Sequence, residues 1–139
     1  MNEEIVIHVL LADGTIQAIR VDIQQIGEMG LWSLKVLDMA MAGRSYVGDD
    51  LFEAMIELRK DLEQGGSALL CAGARQDVFP SGMSRSMSDG RKAYVTRIGE
   101  PANRSDLIDI FSYSPSPTVG TVQQQSMFHA EWVESLRQR

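Results

Sequence analysis

An Asp13-Gly14 pair stands between two β-rich runs near the start of the chain, and no other feature constrains the fold as much. Before it, Ile5, Ile7 and Val9 alternate with Val6, His8 and Leu10. After it, Ile16, Ala18, Ile19 and Val21 return. Asp-Gly tolerates the positive φ angles that a tight turn between right-twisted strands demands. The pair therefore predicts an N-terminal β-hairpin. Both of its faces are largely apolar, which predicts a hairpin covered on each side or lying inside the sheet.

The next clear element is helical. Asp49 or Asp50 caps a helix running to about Gln64, with Gly65-Gly66 as its stop. Leu51, Met55, Leu58 and Leu62 recur at helical spacing and predict its buried stripe. Between hairpin and helix, Gly27, Gly30 and Gly43 divide residues 23–48 into short pieces. A strand near Ser33–Asp38 is expected there, with a short helix over 31–42 as the alternative.

Beyond the helix, Ser67–Ala72, Lys92–Ile98 and Leu107–Tyr113 read as strands, and the stretch 73–91 between the first two reads as one long loop. Pro115 and Pro117 break the chain, and Thr118–Gln125 reads as a loop into a last helix over about 124–138. Met127, Trp132, Val133 and Leu136 are expected to face inward from that helix, with Arg137 and Arg139 at its C-terminal end. The expected fold is a single α+β domain over residues 1–139, with a mostly antiparallel sheet packed by two main helices.

The charge is unevenly spread. The chain of 139 residues has a net charge of −6, which argues against a general nucleic-acid binder. Residues 1–70 carry five Lys/Arg against twelve Asp/Glu, whereas residues 71–94 carry four against two. No apolar run is long enough for a membrane span. The start, MNEEIVIHVLLADG, is acidic where a secretory signal would be basic, and the lone Cys71 forms no intramolecular disulfide. A cytoplasmic protein is expected.

No motif names a reaction. Cys71 sits in ALLCAGA, where a small buried hydrophobe is the usual role of a free cysteine; a nucleophile would need His129 as its base. Two distant histidines and one cysteine give no zinc spacing, and no calcium loop is present. Neither a metal nor a cofactor is expected. The glycines of CAGAR lack the Walker lysine and the dinucleotide fingerprint. The serines at 81, 84, 86 and 88 suit turns better than a hydrolase elbow.

Two charged sets remain as candidate binding residues. Asp50, Glu53 and Glu57 lie near the start of the first helix, where they could present phosphate-like charge to a basic partner or simply be solvated. Arg75, Arg85 and Arg91, with Lys92, crowd the 75–92 stretch, where they could converge on one anion or pair with the acidic half of the chain. Phe79, Met83 and Met87 are expected either to anchor that stretch or to meet a partner.

Compact, acidic, α+β and without a catalytic signature, the whole chain resembles the small bacterial immunity proteins that neutralise a cognate toxin. The resemblance is one of general character and carries over no site residue. It implies a non-enzymatic binding protein with a toxin or enzyme as partner. The alternative is a small enzyme or ligand-binding domain that takes an anionic molecule through residues 75–92. A homo-oligomer joined through the apolar hairpin is a third possibility.

Overall fold

The computed structural model describes residues 2–28 and 30–137. The expected hairpin is formed by β1 (Glu3–Leu10) and β2 (Ile16–Ile26), with Leu10 opposite Ile16 and Glu3 opposite Ile23. At the turn Gly14 adopts φ +88°, and the Asp13 carboxylate accepts bonds from the Thr15 N–H and hydroxyl.

Strands β3 (Leu31–Val36), β4 (Ser45–Gly48) and β5 (Ala68–Leu69) complete an antiparallel sheet of order β4-β3-β2-β1-β5. The hairpin thus lies inside the sheet, but it is not covered on both sides. Ile7, Val9, Ile19, Val21 and Ile23 are buried, whereas Val6 and Ile16 on the other face are 57% and 54% exposed. Glu4, Ala18 and Arg20 interrupt the outer set and keep that face hydrated. The strand expected at Ser33–Asp38 starts two residues earlier and ends at Val36. Asp38 instead turns back to accept bonds from the Arg20 N–H and guanidinium.

Helix α1 (Leu51–Gln64) matches its expected bounds. The Asp50 carboxylate accepts the Glu53 N–H at 2.9 Å, and Gly65 closes the helix. Leu51, Met55, Leu58 and Leu62 are buried as the stripe predicts, joined by Phe52 and Ala54. This face packs against β3, β4 and β5. Asp61 pins the helix further by accepting bonds from the Tyr46 hydroxyl and Arg44.

The stretch 73–91 is not one loop. A 3-10 turn at Ala72–Ala74 leads to β6 (Val78–Phe79) and a two-turn helix, α2 (Gly82–Ser88). Helix α2 is capped by reciprocal Ser81 and Ser84 bonds, a serine standing where the usual sequence pattern has Glu or Gln. Strands β6, β7 (Lys92–Val95) and β8 (Leu107–Asp109) form a second antiparallel sheet in that order. The strands expected at 67–72, 92–98 and 107–113 are all shorter than their apolar runs. Beyond β5 the first run keeps only an isolated pairing of Cys71 with Tyr113.

Helix α3 spans Val122–Arg137, starting two residues before the expected 124; positions 138 and 139 lie outside the described residues. Met127 faces out, 57% exposed, and the buried residue of this helix is Gln125. Trp132, Val133 and Leu136 are half-buried. A single cluster of buried apolar residues joins both sheets, from Ile7 and Val21 through Phe52 and Leu58 to Val78, Ala93 and Ile110. The molecule is one α+β domain. Among the described residues no helix is long and apolar enough to cross a membrane.

Candidate functional site

The start of α1 is crowded, and two glycines permit it. A Cβ on Gly48, the last residue of β4, would stand 2.4 Å from the Ala54 nitrogen. A Cβ on Gly90, just past α2 and at φ +77°, would stand 2.6 Å from the Asp50 carboxyl carbon. With neither side chain present, the end of α2 closes on the start of α1, and the Leu51 N–H reaches the Asp89 carbonyl at 2.8 Å.

This approach brings Arg85 to the first turn of α1. Its guanidinium donates to Asp50 at 2.8 Å and lies 3.2 Å from a Glu53 oxygen. It also lies over the Phe52 and Phe79 rings, 5.3 and 5.7 Å from their centroids. Asp50 therefore has two tasks: one oxygen caps α1, and the other holds α2.

Around this contact lies an open cleft of about 530 Å³ that gathers Asp49, Asp50, Glu53, Glu57 and Arg85. Four carboxylates face one guanidinium. Among the described residues Glu57 pairs only with Lys60, 3.6 Å away and also half-exposed, and such a pair contributes little. Asp49 makes no ion pair among the described residues. The cleft suits a cationic group, because Asp50 and Arg85 are mutually satisfied while Glu53, Glu57 and Asp49 keep free acceptor capacity.

The other two arginines lie elsewhere. Arg75 forms a two-bond pair with Asp77, both at 2.8 Å. Arg91 pairs with Glu3 at 2.7 and 3.0 Å, reaches Asp109 at 3.1 Å, and covers the Phe111 ring. Hydrogen bonding from Arg91 holds the Glu3 carboxyl below its usual range. Asp50, Glu53, Glu57 and Arg85 are thus brought together, and Arg75 and Arg91 are not. Met83 and Met87, one turn apart on α2, point to solvent at 67% and 80% exposure, while Phe79 packs against the core.

Cys71 is fully buried, and burial pushes its thiol up to about 12. His129 stacks on Phe79 with ring centroids 3.8 Å apart, and its Nδ1 is buried with no hydrogen-bond partner among the described residues. Burial, with Arg85 as a second cause, lowers its affinity for a proton. In the unfolded chain this histidine takes a proton first as pH falls through about 6.5. Stability is therefore expected to decline from pH 7 to pH 5, above the range where carboxylates protonate. His129→Phe keeps the stacking and removes the orphaned atom. It is expected to flatten that decline and to add about 1 kcal/mol at pH 7, both read from melting curves at the two pH values.

Sequence reasoning missed one residue altogether. Arg59 of α1 is 2% exposed, and no carboxylate lies within ion-pair distance of it among the described residues. Its donors go to Gln125 Oε1 at 2.6 Å and to the Gly73 and Gly120 carbonyls at 3.3 and 3.1 Å. Burial brings its guanidinium down to about 10, so it stays charged at neutral pH. The available signal was its position, four residues after Met55 and beside Leu58 in the apolar stripe. No protein-family model matches the chain, and comparison with curated proteins finds no match either.

Proposed function

We infer that this domain is a non-enzymatic binding protein of the immunity type, which neutralises a cationic toxin or enzyme by seating a basic group in the α1 cleft. The observation that carries this reading is the gathering of Asp49, Asp50, Glu53 and Glu57 around one cleft, with a single arginine among them. Charge laid out in this way steers a basic partner and fixes its register more than it adds raw affinity. Met83 and Met87 support it, because they sit on the helix that supplies Arg85 and offer an adaptable apolar contact beside the charge.

The test is protection of a bacterial host against a toxin encoded next to this chain. Wild-type protein is expected to restore growth. Glu53→Lys with Glu57→Lys, at a half-buried and an exposed position, should abolish protection, keep the circular dichroism spectrum, and slow association by about tenfold or more at low salt. Protection that survives the double reversal, or a neighbouring product that the wild type neither binds nor counters, would overturn the reading.

A further inference from the structure

A second cavity, of about 360 Å³, opens on the opposite stretch of α1, between β5 and the approach to α3. Leu10, Ala68, Leu69 and Val119 give it apolar walls, and Arg59 and Glu63 are its charged residues. The volume falls within the range of small-molecule sites, which are mostly apolar with a few fixed polar groups. We propose that this cavity binds a small organic monocarboxylate, whose apolar body lies on those walls and whose carboxylate meets Arg59.

The first argument is the charge of Arg59. A buried cation is normally paired, because leaving it without a counter-ion in a poorly hydrated place is costly. Among the described residues Arg59 is hydrogen-bonded to three neutral oxygens, with the Glu63 carboxylate as a more distant opposing charge, and it lines a cavity open to solvent. An entering carboxylate would supply the directly bonded counter-charge that Glu63 does not, through charge-assisted bonds.

The second argument selects among anions. Glu63 lines the same cavity, with one oxygen already accepting the Val122 N–H at 2.9 Å. Its charge opposes a phosphate or other polyanion more strongly than a single carboxylate, while its second oxygen welcomes a donor such as a hydroxyl or amine. A single carboxylate of amino-acid or hydroxy-acid size satisfies both residues. Arg75, Arg85 and Arg91 offer no such opening, since each is already bound to carboxylates of this chain.

The probes are simple carboxylic acids, hydroxy acids and apolar amino acids, each beside its primary amide, titrated against labelled protein while the Arg59 Nε–H resonance is followed. Inorganic phosphate serves as a further arm. At least one carboxylate should give a saturable shift, with about a tenfold or greater preference over its amide. The response should vanish in Ala68→Phe, which fills the cavity and leaves every Arg59 hydrogen bond in place. Ser116→Phe on the opposite wall serves if that variant does not fold. The proposal is overturned if no carboxylate saturates, if amide or phosphate binds equally, or if the filled variant still responds. Toxin protection by the acidic cleft is a separate readout, so failure at one site leaves the other intact.

Discussion

Replacing Arg59 by alanine is expected to destabilise the domain by about 3–5 kcal/mol, the range for breaking a buried charged network and emptying its space. The substitution takes from Gln125 Oε1 its only side-chain donor among the described residues and removes a donor from the Gly120 carbonyl. Gln125 is itself 1% exposed, and its amide nitrogen donates to the Gly73, Arg75 and Val78 carbonyls at 2.8–2.9 Å. Together these two side chains tie α1, the 3-10 turn after β5, the start of β6 and α3 into one unit. For a domain of this size the melting temperature should fall by about 10–17 °C. Gln125→Ala should do similar damage, and the double variant should cost clearly less than the two singles added, because the pair shares one bond. Full additivity, or an Arg59→Ala protein that melts within two or three degrees of wild type, would show that the network does not hold these elements together.

That network also shows where the sequence was readable. The hairpin followed from Asp-Gly because turn geometry is local, and α1 followed from a cap, a stripe and a glycine stop that agree with one another. Strands β5, β7 and β8 were expected but overextended and β6 was missed, because strand lengths depend on which chain lies alongside, and composition does not encode the partner. Helix α2 was hidden by its serine cap and by seven residues too few to show a period. In the acidic cleft, the Asp50 cap and the Glu53 and Glu57 carboxylates of α1 were legible from the sequence. Their closure by Arg85 rests on Gly48 and Gly90, whose role depends on a close approach between elements distant in sequence. Arg59 and Gln125 drew no reading of their own: beyond the place of Arg59 in the apolar stripe, nothing local tells a buried polar pair from a solvated one.

Arg85 separates stability from binding, because removing it should move the two in opposite directions. In Arg85→Met the bonds to Asp50 and Glu53 and the cover over Phe52 and Phe79 are lost. Methionine puts an apolar, polarisable side chain beside those rings in place of the guanidinium. Charged hydrogen bonds of this kind and a partly buried cation–π contact together make about 2–3 kcal/mol a reasonable loss. Asp50 keeps its bond from the Glu53 N–H, so α1 should remain helical and the damage should fall on the docking of α2. The cleft meanwhile changes from four carboxylates around one cation to four carboxylates alone. A basic partner should then associate several-fold faster at low salt, and the gain should fade as the ionic strength approaches physiological values and the exposed charges are screened. Stopped-flow association at two salt concentrations, run beside a melting curve, measures both effects on one sample. Slower association by a protein that still folds would mean that Arg85 itself contacts the partner, and that the carboxylates serve only to hold it in place.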